Sequence, residues 1–151
     1  MARRTEVNGR VPIPAEQAVA LWRDLLRWPS FVEGFARILE SSGEWPEPGA
    51  KVVWESGPEG RGRVTEKVVA CSAAEFSTRV AEERLLGTQT FRAEPAEGGA
   101  LVAIQLEYEL TSENRLSGVA DVLFIRRALR DALGRTLGRF TVEAQEDAGL
   151  R

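Results

Sequence analysis

Histidine is absent from this 151-residue chain, which removes His-based catalytic triads, imidazole general bases and imidazole metal ligands together. Cysteine occurs once, at Cys71, so neither an intrachain disulfide nor a multi-cysteine zinc site can form. Cys71 itself reads as a small, buried or half-buried side chain. No apolar run approaches membrane-spanning length, and the opening Met-Ala-Arg-Arg lacks the apolar core of a signal peptide. The expectation is a cytoplasmic protein without membrane insertion. The sequence has no Walker loop, no Gly-x-Ser-x-Gly elbow and no EF-hand spacing, and Gly60-Arg61-Gly62 lacks the third glycine and the helix of a dinucleotide fingerprint. That tripeptide reads as a hairpin leading into a strand. The formal net charge of −3 gives no general attraction to nucleic acid. Arg126, Arg127, Arg130, Arg135 and Arg139 form a local cluster interleaved with acids, which reads mainly as a solvated helix face, with a phosphate-binding role as the alternative. No metal, cofactor or catalytic residue is assigned.

What is present begins with composition: 43% hydrophobic and 28% charged residues describe one folded domain over residues 1–151. From Ala100 to Leu110 the even positions are apolar or aromatic, while Gln105, Glu107 and Glu109 are polar, the period of a strand with one wet face. After Thr111–Asn114 the period becomes helical. Val119, Val122, Ile125, Leu129, Leu133, Thr136, Phe140 and Ala144 fall on one stripe of a helix of about eight turns. Gly134 and Gly138 lie on its flank. An interior glycine costs about 1 kcal/mol against alanine, which points to close approach by another backbone rather than a hinge.

The earlier chain reads as a short strand over 5–11, then a helix over Ala15–Leu26 that buries Ala18, Trp22, Leu25 and Leu26. Trp28-Pro29 stops that helix, and Ser30–Glu33 suggests a second short one. Strands follow near 35–44, 50–56, 61–72, 75–84, 87–94 and 100–110, separated by Pro/Gly turns such as Trp45-Pro46-Glu47-Pro48-Gly49. Spacing this short forces antiparallel neighbours, since parallel pairing needs crossover helices.

The phase of residues 63–71 stays open on pattern alone. If Val64 and Val68 face inward, Glu66 does too, and its carboxyl would be desolvated and able to act as an acid or base. The opposite phase buries Thr65, Val69 and Cys71 but also Arg63 and Lys67. Phe76, Thr78 and Val80 make a better inward set than Arg79. Tyr108, the only tyrosine, sits near its strand's end and reads as a rim residue bonded to water or backbone, with a ligand oxygen as the alternative partner. Phe124 falls on the polar face of the long helix, where a loop over a cavity mouth or a partner chain would meet it.

The element order, with Pro12–Pro14, Leu21-Trp22-Arg23-Asp24, Trp28-Pro29-Ser30-Phe31 and Gly60-Arg61-Gly62-Arg63-Val64, resembles the START-like superfamily, in particular its polyketide cyclase/dehydrase and lipid transport branch. The resemblance implies an α+β helix-grip fold: a curved seven-stranded antiparallel sheet wrapped around a long C-terminal helix, two short helices after the first strand, and an apolar cavity between sheet and helix. It implies binding or transport of a hydrophobic small molecule, such as a lipid, quinone or polyketide. A cyclase, aromatase or dehydratase using Glu66 or Tyr108 is the alternative, and an assembly factor binding another protein a third. The expected lining is Trp54, Glu66, Phe76, Phe91, Ile104, Leu106, Tyr108 and Val122.

Overall fold

Alternation of apolar and polar side chains carries seven strands into one antiparallel sheet in the order β1-β7-β6-β5-β4-β3-β2. The computed structural model describes residues 3–58, 60–111 and 119–150, with side chains of the last segment from Leu123 onward. The strands are β1 (Arg3–Val11), β2 (Phe35–Ser42), β3 (Lys51–Ser56), β4 (Arg63–Cys71), β5 (Glu75–Ala81), β6 (Leu85–Ala96) and β7 (Gly99–Leu110). Two short helices, α1 (Ala15–Trp22) and α2 (Trp28–Phe31), join β1 to β2, and α3 (Val119–Asp147) ends the chain. β1 and β2 are the sheet edges, and the hairpins between consecutive strands from β2 to β7 account for every inner pairing. This is the helix-grip fold that the element order implied.

The hairpin at Gly60-Arg61-Gly62 forms as expected. Ser56 holds it, its backbone N–H donating to Gly62 O at 2.8 Å and its Oγ accepting from Gly62 N at 2.8 Å. The helical region before β2 differs from the sequence reading. α1 stops at Trp22, because Asp24 turns extended and its carboxylate accepts from Leu26 N at 3.0 Å, opening a separate 3₁₀ turn over Leu25–Arg27. Leu26 is therefore 90% exposed rather than buried. Pro29 lies in the first turn of α2 rather than before it, as suits a residue with no N–H to lose there.

The α3 stripe is legible in the structure from Ile125 to Ala144. Ile125 and Leu129 are half-buried; Leu133, Thr136, Leu137, Phe140 and Ala144 are buried. Val119 and Val122 lie outside the described side chains. Phe140 packs into a cluster with Trp22, Phe31 and Phe91, ring centroids 4.7 to 5.7 Å apart. Leu137 sits over Gly9 of β1, where a Cβ would lie 3.4 Å from Leu137 Cδ2. Ion pairs secure the same half of the helix: Arg27 reaches Glu143 and Asp147, each at 2.9 Å, and Glu33 joins Arg135 and Arg139. Gly134 and Gly138 contradict the expected close approach, since a Cβ at either would meet nothing within 4 Å among the described residues.

Candidate functional site

Glu66 settles the open phase of β4. Val64, Glu66 and Val68 are buried while Lys67 and Val69 are exposed, so the carboxyl points between sheet and α3. The neighbouring strands supply its partners. Trp54 of β3 donates its indole N–H to Oε2 at 2.9 Å, and Thr78 of β5 donates its hydroxyl to Oε1 at 2.8 Å. Burial pushes the Glu66 carboxyl above the usual carboxylate range, against the pull of those two hydrogen bonds and of the Arg61 charge. A carboxyl so placed holds its proton more readily than a free one and is suited to exchanging a proton or bonding a polar group inside an apolar chamber.

The chamber has a volume of about 50 Å³ and is lined by Trp22, Trp28, Val32 and Glu33 from the helical region, Trp54, Arg61, Glu66 and Gln89 from the sheet side, and Ala132, Leu133 and Thr136 from α3. Arg61 forms part of its wall, its guanidinium 5.5 Å from the Trp54 ring centroid and paired with Glu82. Thr136, the polar interruption in the helical stripe, accepts from Glu33 N at 2.9 Å and ties α3 to the end of α2. Among the described residues no group of three or more Cys, Asp or Glu converges to hold a metal ion.

Of the expected lining residues, the structure brings Trp54 and Glu66 together at this chamber. Phe76, Phe91, Ile104 and Leu106 are buried in the inner face but serve the packed core: Phe76 meets Trp45 at 5.6 Å and Phe91 stacks on Trp22 at 4.7 Å. Val122 lies outside the described side chains. Tyr108 is not a rim residue. It is 1% exposed, and its hydroxyl has no hydrogen-bond partner among the described residues. Its strand continues to Leu110 with β6 paired alongside to Leu85, and β1 pairs as far as Tyr108 itself through Arg3, so the residue has a strand on each side. Sequence reasoning missed Trp22, Trp28, Leu133 and Arg61 as lining. The first three carry only a core signature, and Arg61 belongs to a turn, where no periodicity reports direction.

Larger concavities lie away from this chamber. One of about 700 Å³ covers the outer face of β1, β7 and β6 around Leu101 and Ala103, and its charges are mutually engaged: Arg92 pairs with Glu6 at 3.6 Å and Arg10 donates to Glu97 O at 3.0 Å. Another, of about 570 Å³, runs between β1 and α3 and is lined by Arg4, Thr5, Glu6, Leu123, Arg126, Arg127 and Arg130. Among the described residues no helix is long and apolar enough to cross a membrane.

The architecture is similar to several solved structures. The di-domain aromatase/cyclase StfQ from the steffimycin biosynthetic pathway superposes with a TM-score of 0.79 at 16% identity, covering 99% of this chain and 53% of that one. The chain thus spans about half of StfQ. The Zhui aromatase/cyclase from Streptomyces sp. R1128 gives 0.73 at 15% identity, with 98% and 96% covered. TTHA0849 from Thermus thermophilus gives 0.75 at 17% identity, with 97% and 99% covered. At such identities these likenesses establish the fold. No curated protein matches the sequence. The profile of the family described as polyketide cyclase/dehydrase and lipid transport matches residues 3–145, and the chain belongs to that family.

Proposed function

We propose that the protein binds a hydrophobic small molecule between the inner face of the sheet and α3, above Glu66. One observation carries this reading: a buried carboxyl stands in an aromatic-walled chamber between the sheet and the helix. Burying such a group costs free energy unless it is neutralised or bonded, so a fold built for stability alone gains little from it. The family's description, polyketide cyclase/dehydrase and lipid transport, and its aromatase/cyclase neighbours support a hydrophobic small molecule as the ligand.

The chamber as it stands holds little more than one water, whose share of liquid volume is about 30 Å³. Ligand pockets typically measure about 300–1,000 Å³. The reading therefore requires α3 to lift, and the helix is anchored unevenly. Its second half is buried and clasped by Arg27 and Glu33, while Leu123 and Phe124 are exposed and Ile125 and Leu129 only half-buried. The first half is the part that opens. Native mass spectrometry of the protein purified without detergent, with organic extraction of the sample, tests the proposal. A co-purifying apolar molecule at one per chain is expected; a bare chain that also takes up no added apolar probe contradicts it.

The position of Glu66 favours a second reading, a cyclase-type enzyme in which this carboxyl moves a proton on a bound polyketide-like substrate. Loss of turnover in Glu66→Gln with retained binding would distinguish that reading from simple carriage.

A further inference from the structure

The inner face of the sheet carries a second polar station that the Glu66 chamber does not use. Register places Glu66, Val80, Gly87, Tyr108 and Arg3 on one rung across β4, β5, β6, β7 and β1. Three strand spacings, about 14 Å, separate Glu66 from Tyr108. The adjoining rung runs from Val68 through Thr78, Gln89 and Leu106 to Thr5. Polar groups thus begin at Glu66 and reappear at the β1 edge, where Thr5 is buried and lines the arginine groove under the first half of α3.

Tyr108 marks the inner end of that edge. Among the described residues its hydroxyl is the one fully buried side-chain polar atom without a partner. Leaving such a group unsatisfied costs about 1–3 kcal/mol, and phenylalanine would fill the same space without that cost. We propose that Tyr108, Thr5 and Arg126 receive the anionic head of the bound molecule, so that the ligand is an amphipathic acid with its tail directed along the inner face towards Glu66. This assignment rests on the hydrophobic-ligand reading above and adds its polarity and direction.

Charge supports an anion rather than a neutral or cationic head. Arg4, Arg126, Arg127 and Arg130 line the groove, and the one acid among its described residues, Glu6, is engaged with Arg92. Arg3 is the cross-strand partner of Tyr108 and Arg126 lines the groove with Thr5; burial pushes the Tyr108 hydroxyl up, and the Arg3 and Arg126 charges pull against that push. A carboxylate or phosphate oxygen would satisfy the hydroxyl and meet Arg126 at once, the charge-assisted geometry that binds most strongly.

Calorimetric titration of the full chain with decanoate, decyl phosphate and decanol separates the possibilities. Wild type should bind at least one of the anions more tightly than decanol, and which anion binds better identifies the head group. Tyr108→Phe and Arg126→Gln should each weaken the anions by about tenfold while changing decanol by less than about twofold. The urea midpoint of Tyr108→Phe should match or exceed that of wild type. If wild type binds acid and alcohol equally, the anionic head is overturned while the hydrophobic-ligand reading stands. If none of the three binds, that underlying reading fails. A Tyr108→Phe chain that is less stable and has an unchanged acid-to-alcohol ratio makes the hydroxyl structural and overturns the assignment.

Discussion

At the scale of single residues, Glu66 carries the clearest consequence. Its carboxyl is raised in the folded chain, so folding takes up protons at pH values between its unfolded and folded pKa. Its contribution to stability is therefore fully present below the unfolded carboxylate range and declines as pH climbs through the folded value. Glu66→Gln removes that decline. Its amide oxygen can accept from Trp54 and its NH₂ can donate to Thr78, so the variant should gain stability over wild type at about pH 8 and show little advantage at about pH 4. Urea unfolding at the two pH values measures this; an equal difference at both contradicts the assigned titration. Glu33 has the opposite sign. Its carboxyl is held down chiefly by its hydrogen bond to Arg139, so its share of stability is lost as pH falls through its folded value. The sequence leaves the direction of Glu66 undecided because either phase of β4 buries a charge. What decides it is the indole of Trp54 and the hydroxyl of Thr78, two partners from flanking strands that no pattern within β4 reveals. Tyr108 departs from its sequence reading for a related reason: nearness to a strand end does not bring exposure where a flanking strand, here β6, runs on to pair with Leu110.

At the scale of elements, α3 divides into a clasped half and a loosely held half. The stripe from Ile125 to Ala144 is legible because burial on one helical face imposes its period on the sequence. The meaning of Gly134 and Gly138 is not, since what a missing Cβ would touch depends on tertiary neighbours. Both positions face open space, so alanine at each adds helix propensity without a clash. The double variant Gly134→Ala/Gly138→Ala should be more stable by about 1–2 kcal/mol in urea unfolding. A loss of stability would mean that these glycines relieve a constraint absent from the packing described. The boundaries around α1 are the least legible. Capping by Asp24 competes locally with the helical run of Leu21 to Leu26, and the side chain that wins does so through one hydrogen bond to Leu26 N.

At the scale of the molecule, the seven-stranded order and the helix it grips follow from turn spacing and strand alternation, and most of both can be read before any coordinate. The cavity cannot. Its position comes with the fold, but its volume depends on how fully Trp22, Trp28, Trp54 and Leu133 fill the space, and here they leave about 50 Å³. The proposed binding therefore requires movement of the first half of α3, with its exposed Leu123 and Phe124. The outer concavity around Leu101 and Ala103 is the rival location for an apolar molecule. Amide-resolved NMR during a decanol titration tests the central claim most directly. The account predicts saturable shifts at Trp54, Glu66, Gln89 and Leu133 and at the amides of Ile125 and Leu129. Shifts confined to Leu101 and Ala103, or no saturation at all, would contradict it.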